Sequence, residues 1–263
     1  MASGWDSRHA YFEEIARPVT DLMLERLAPE PGQTILDLAA GTGVAGFGAA
    51  GLVGREGHVI VSDFAEGMIE AANRHAARLG LTNVECRVLD AERLDVPDDA
   101  VDGVLCRWGY MLMADPAAAF RETRRVLRPS GRLAFAVFTG PDENPWGSLP
   151  AGVLVERGHM PPPEAGAPGL FALADRGRLS QLLVDTGFPQ PRFEEVEFMW
   201  RFADSSAFWT FLKEAAGAIT IVLDRLDDDE RRRVGEEIRR RVERFDGPNG
   251  VELAGVSLVA WAT

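Results

Sequence analysis

Thiols, lysine and positive charge are scarce in this chain of 263 residues, and each shortage excludes something. Only Cys86 and Cys106 are present, so a disulfide scaffold is excluded, and two lone thiols cannot build a structural zinc site. Each lies in a β-branched, apolar stretch that reads as a strand, where a thiol acts as a small buried hydrophobe. Lys213 is the single lysine; the arginine bias points to a GC-rich genome more than to a mechanism. Lysine and arginine together number 28 against 41 aspartates and glutamates, a formal charge of −13. Such a chain lacks the basic field that tracks nucleic-acid phosphates or anionic membranes. No uncharged apolar run approaches the roughly 18–20 residues of a bilayer span. The start, Met1-Ala2-Ser3-Gly4-Trp5-Asp6, has neither a basic n-region nor an apolar h-region. The expectation is a cytoplasmic protein, monomeric or homodimeric, with no nucleic-acid or membrane partner and no metal.

Hydrophobic residues at 46% and charged residues at 26% describe an ordinary globular chain with a sizeable core. Tyr11, Ile15, Val19, Leu22, Met23 and Leu27 recur at helical spacing before Pro29. Strand-like runs then alternate with helical stretches: Thr34 to Leu38, His58 to Ser62, Val84 to Leu89, Val101 to Cys106 and Arg132 to Phe138, with helices near 44–53, 66–79 and 116–128. This alternation predicts a parallel sheet with right-handed crossovers and helices on both faces. A proline-rich segment, 140–169, reads as an insertion or lid. A short helix near 177–186, a strand from Arg192 to Phe202, helices over 205–245 and a last strand from Val251 to Trp261 complete the pattern. The charged stretch from Asp227 to Phe245 places Val234, Ile238, Val242 and Phe245 at helical spacing, which predicts a solvated amphipathic helix.

The strongest local signal runs from Ile35 to Gly46, a strand entering a glycine turn and then a helix. Gly41, Gly43 and Gly46 satisfy the G-x-G-x-x-G spacing, and Asp63 stands 20 residues past Gly43. Taken alone, this supports an NAD(P)-dependent oxidoreductase. Asp37 argues otherwise. A carboxylate at the mouth of the turn repels a pyrophosphate in a partly desolvated cleft, whereas the ammonium and sulfonium of S-adenosylmethionine gain from it. Asp63 can accept both ribose hydroxyls, and Asp90 can take the adenine amine. The three acids close consecutive strands at intervals of 26 and 27 residues, along the rim where open α/β sheets bind ligands.

With these motifs the chain resembles the class I S-adenosylmethionine-dependent methyltransferases, in the small-molecule branch related to ubiquinone/menaquinone-biosynthesis enzymes. The resemblance rests on Leu36-Asp37-Leu38-Ala39-Ala40-Gly41-Thr42-Gly43, Val61-Ser62-Asp63-Phe64-Ala65-Glu66-Gly67-Met68, Asp90-Ala91-Glu92-Arg93-Leu94, and the segment from Arg124 to Leu133. It covers about residues 9–140; Pro129-Ser130-Gly131 stands where the family usually has Pro-Gly-Gly. It implies an α/β, Rossmann-like sheet of seven mostly parallel strands with an antiparallel last strand. One methyltransferase domain would span 1–263: a helical cover over 1–30, a cofactor core over 31–139, a lid over 140–190, and a closing β hairpin with an inserted helical pair over 191–263. Cys86 and Cys106 would lie on strands that are not neighbours. The implied cofactor is S-adenosylmethionine, with S-adenosylhomocysteine as product. Its expected contacts are Tyr11, Asp37, Ala39, Gly41, Gly43, Asp63, Phe64, Met68, Asp90, Ala91 and Arg107.

Methyl transfer needs alignment of nucleophile, methyl and sulfur, and a base only where the acceptor is poorly acidic. His9, Tyr110 and His159 are the candidates for that role. The loop from Arg107 to Met113 is bulky and largely apolar, and Trp108, Met111 and Trp146 are the expected contacts of a hydrophobic or aromatic small-molecule substrate, in secondary or quinone-like metabolism. A third reading keeps the cofactor without turning it over, as a cyclase or a non-catalytic binder.

Overall fold

A computed structural model describes residues 2–164, 166–215 and 218–263; side chains are described from Tyr11 onward, apart from 214, 215 and 218. Helix α1 (Ala2–Leu27) begins earlier than its apolar pattern predicts. It buries Ala16, Val19, Met23 and Leu27, one stripe at helical spacing. Then come β1 (Thr34–Asp37), α2 (Val44–Val53), β2 (His58–Asp63), α3 (Glu66–Leu79), β3 (Val84–Val88), β4 (Val101–Arg107), α4 (Pro116–Val126) and β5 (Leu127–Phe138). The remainder is α5 (Pro145–Glu156), α6 (Arg176–Asp185), β6 (Arg192–Phe202), α7 (Ser205–Ala215), α8 (Ala218–Asp224), α9 (Asp228–Val242), a two-residue β7 (Asp246–Gly247) and β8 (Gly250–Ala262).

The sheet order is β3-β2-β1-β4-β5-β8-β6, with β7 pairing to β8 off this path. β1 to β5 are mutually parallel, and β8 runs antiparallel to β5. Between β2 and β4 the order reverses at β1, which creates the switch point where such sheets hold ligands. As expected, Cys86 on the outer strand β3 and Cys106 on the central β4 are not neighbours, and both are free thiols. Among the described residues α7, α8 and α9 stand between β6 and β8, where a helical pair was expected. Among the described residues no helix is long and apolar enough to cross a membrane.

The acid excess has a structural use. Asp115, Asp175 and Asp227 cap α4, α6 and α9 by accepting from Ala118, Arg178 and Glu230 N–H groups at 2.8–2.9 Å. Pro116 follows the Asp115 cap at a position where a missing N–H costs nothing. The helix expected to reach residue 128 stops at Val126, because β5 begins at once with a bulge. Val101 pairs with Leu127 but Gly103 pairs with Arg132, so the extra residues around Pro129-Ser130-Gly131 swell out of the ladder. Gly131 is needed there: a methyl group on it would sit 2.8 Å from Leu127 Cδ2 and 3.0 Å from the Arg128 carbonyl.

Two compact units are distinguished along the chain: a sheet unit of Ala16–Thr139, Gly166–Val196 and Ser257–Thr263, and a helical unit of Met1–Ile15, Gly140–Ala165 and Glu197–Val256. Within the helical unit, α9 buries Val234, Ile238 and Val242, as its spacing predicts.

Candidate active site

The carboxyl ends of β1, β2 and β3 carry the three acids, all in the sheet unit. After β1 the chain turns through left-handed backbone at Ala39 (φ 50°), Gly41 (φ 57°) and Gly43 (φ 89°) before α2 begins. Glycine is needed at Gly43 for a second reason, since a methyl group there would lie 2.5 Å from the Phe47 ring. The turn is stitched to β2: Ala40 N–H donates to the Ser62 carbonyl at 2.9 Å, and Gly41 N–H donates to Asp63 Oδ2 at 2.9 Å.

Asp37 is fully buried, and its Oδ2 accepts from Gly46 N–H at 2.7 Å in the first turn of α2. It was expected at the mouth of the turn; it lies beneath it, holding the helix N-terminus, where the helix dipole favours a carboxylate. Asp63 is half-buried, and its Oδ1 accepts from Ala65 N–H at 2.9 Å. Each oxygen of Asp63 accepts one backbone N–H and keeps a second lone pair for a ligand. Asp90 is exposed, its Oδ1 accepting from Glu92 N–H at 2.9 Å, with Ala91 half-buried beside it. Phe64 is 77% exposed at this rim and Met68 is half-buried behind it.

An acceptor pair at Asp63, an apolar ring at Phe64 and open space where a Gly41 side chain would be fit an adenosine-bearing ligand laid across the turn. Arg107, at the end of β4, donates to Thr20 Oγ1 at 2.7 Å and lies 5.3 Å from the Trp108 ring centroid.

Trp108, Tyr110 and Met111 of the loop after β4 face the core, which corrects three expectations. Trp108 is buried, its Nε1–H donating to Ser257 Oγ at 2.8 Å and its ring stacked on Phe138 at 4.8 Å. Met111 is buried as well; Leu112 is the side chain of this loop that is turned outward, at 57% exposure. Tyr110 is fully buried, its hydroxyl 2.6 Å from Thr123 Oγ1 and its ring stacked on Phe120 at 4.1 Å. Burial pushes its phenol well above the usual range, so it is a core residue and not a base.

The remaining candidates belong to the helical unit. Tyr11 donates to the Arg201 carbonyl at 2.5 Å and accepts from Arg201 N–H at 2.7 Å. Its hydroxyl thus covers two backbone groups of β6, the outermost strand, instead of offering itself to a cofactor. Trp146 is buried against Trp200, ring centroids 5.1 Å apart, and its Nε1–H donates to Asn144 Oδ1 at 3.2 Å. It is packing, not a substrate contact. His159 Nε2 lies 2.8 Å from Glu230 Oε1, an oxygen that Arg157 also reaches at 2.7 Å. That contact links the segment after α5 to α9. His9 lies on α1, with its side chain outside the described residues.

Residues that sequence reasoning passed over also shape the rim. Glu92 Oε1 accepts from Ala114 N–H at 2.7 Å and Asp115 N–H at 3.0 Å, fastening the segment after β4 to the one after β3. Ser62 donates to the Asp37 carbonyl at 2.9 Å. Glu92 stood inside the motif beginning at Asp90 and was discoverable there; nothing local marks Thr20 or Ser257.

Over residues 29–149 the sequence matches the family described as a methyltransferase domain. Nocamycin O-methyltransferase of Saccharothrix syringae is 30% identical over 241 residues, 86% of this chain and 84% of that protein. The chain belongs to the class I S-adenosylmethionine-dependent methyltransferases. Demethylmenaquinone methyltransferase of Clavibacter sepedonicus is 37% identical over 147 residues, 56% of this chain and 54% of that protein. The aligned part of this methyltransferase therefore spans about half the length of that relative. In fold it is similar to the YcgJ protein of Bacillus subtilis, with a TM-score of 0.61 at 19% identity over 93% of this chain and 97% of the other. Membership sets aside the nicotinamide reading of the glycine turn. The methyl donor of this family is S-adenosylmethionine and the product S-adenosylhomocysteine.

Proposed function

We propose that this methyltransferase acts on an acidic hydroxyl, phenolic or enolic, of a hydrophobic or aromatic small molecule. The observation that carries the reading is the extent of the likeness to nocamycin O-methyltransferase: 241 residues reach well beyond the family match at 29–149. The outward Leu112 beside the switch point supports an apolar acceptor.

S-adenosylmethionine, when bound, supplies an electrophilic methyl group on a sulfonium. Asp63 would hold the ribose diol with the lone pairs its backbone donors leave unused. Phe64 and Met68 would flank the adenine, and Asp90 with the Ala91 N–H would read its edge. Ala39, Gly41 and Gly43 keep the turn low enough for close approach, and the charge of Asp37 acts from beneath it on the cationic end. Arg107, tied to Thr20, would border that end. With Tyr110 in the core and His159 bound to Glu230, an acceptor acidic enough to shed its proton to water suits the site. Alignment then supplies much of the acceleration.

A labelled-methyl screen across apolar phenols, enols, quinones and amines, with products located by mass spectrometry, tests this. Oxygen-methylated product from an apolar phenol or enol is expected. Methylation at nitrogen or carbon, or binding of S-adenosylhomocysteine without any turnover across the panel, would overturn it.

A further inference from the structure

Trp108 holds a left-handed backbone, φ 60°, a conformation that a bulky side chain adopts only under constraint. Three contacts impose it. Its N–H donates to the Ala136 carbonyl at 2.8 Å, its ring stacks on Phe138 at an interplanar angle of 22°, and its indole N–H donates to Ser257 at 2.8 Å. Ser257 is fully buried on β8 and is the register partner of Phe138 on β5, so both side-chain anchors of Trp108 sit on one cross-strand pair.

The next residue shows what this strain achieves. Gly109 packs so closely on the turn after β1 that a methyl group on it would lie 2.5 Å from Ala39 Cβ and 2.7 Å from Cys106 Sγ. Ala39 is itself left-handed, φ 50°, and opens the turn that continues through Gly41 to the Asp63 carboxylate. The strained Ala39 after β1 and Gly109, which follows the strained Trp108 after β4, are thus pressed together where these neighbouring strands end. Trp108 fixes where Gly109 lies, and Gly109 sets how far the Ala39 turn can move.

We propose that Ser257 is a positioning residue for the cofactor site: through the Trp108 indole it holds Gly109 against Ala39 and so fixes the floor on which S-adenosylmethionine lies. Neither Ser257 nor Trp108 touches the cofactor in this assignment. Removing their hydrogen bond loosens the floor without deleting a ligand contact.

The test compares Ser257→Ala, Trp108→Phe, their double variant and Ser257→Thr in the full chain. Affinity for S-adenosylhomocysteine is measured by calorimetry well below each thermal midpoint, and KM is measured separately for donor and acceptor. Each of the first two variants should weaken S-adenosylhomocysteine binding about five- to tenfold, the effect of one hydrogen bond. Donor KM should rise while acceptor KM holds. The double variant should be no weaker than the weaker single one, because both delete the same bond. Ser257→Thr, which keeps the hydroxyl, should bind like the parent. Should Ser257→Ala fail to fold, Trp108→Phe and Ser257→Thr still decide. Folded variants that bind S-adenosylhomocysteine like the parent, losses that multiply in the double variant, or equal shifts in both KM values would overturn the assignment.

Discussion

The backbone N–H of Gly41 donates to the carboxylate of Asp63 at 2.9 Å, so the acid assigned to the ribose also fastens the turn over which the ribose lies. One substitution therefore strikes twice. Asp63→Ala should lower affinity for S-adenosylhomocysteine by about 10- to 150-fold, the loss of charge-assisted hydrogen bonds worth roughly 1.5–3 kcal/mol. It should also lower the thermal midpoint of the free protein, because Gly41 and Ala65 lose their acceptor. Asp63→Asn keeps one acceptor oxygen and should fall between. Calorimetry and a melting curve read both effects; unchanged affinity in Asp63→Ala would refute the ribose assignment.

Two glycines of the same motif separate binding from stability. Gly41 faces open space, so Gly41→Ala costs the left-handed strain of about 1–2 kcal/mol and places its methyl group where the cofactor would lie. Gly46 is packed: a methyl group there would meet Val61 Cγ2 at 2.8 Å and Asp37 Oδ2 at 2.9 Å. Gly46→Ala should lose about 1–3 kcal/mol by overpacking and melt lowest, while Gly41→Ala should lose more affinity for S-adenosylhomocysteine relative to its stability loss. The reverse ranking would mean that the turn is not the cofactor's floor.

The fold was legible because short strand-like runs alternate with helical stretches in the first half, α3 and α4 with an apolar stripe and α2 apolar throughout, so order alone predicts a parallel sheet. The three acids were legible for the same reason: strand ends lie on one rim, and chain order says which rim. The orientation of side chains in the loop after β4 was not. Trp108, Tyr110 and Met111 read as an apolar pocket, yet their partners lie elsewhere in the chain: Ser257 is 149 residues from Trp108, and the rings of Phe120 and Phe135 enclose Tyr110. Tyr11 finds Arg201 at a separation of 190 residues, and His159 finds Glu230 at 71. Spacing within a motif cannot report such pairings, because they follow from how elements dock. Asp37 fell between these cases: its position was legible, its depth was not.

Acid should expose the cluster that claims His159. Glu230, on α9, faces His159 Nε2 at 2.8 Å, Arg157 at 2.7 Å and Arg233 at 3.3 Å. Hydrogen bonds from His159 and Arg157 push its carboxyl down to about 2. Glu237, held by Arg240 and Arg241 on the same helix, is likewise pushed down to about 2. A carboxyl whose folded pKa lies below its unfolded value of about 4.3 adds stability above that value and loses it as pH falls toward the folded one. Melting curves of the parent should therefore fall between about pH 5 and 2. Glu230→Gln should melt below the parent at pH 7, decline less steeply on acidification because Glu237 still contributes, and approach the parent near pH 2. Curves that stay parallel from pH 7 to 2 would show that Glu230 carries no folding linkage.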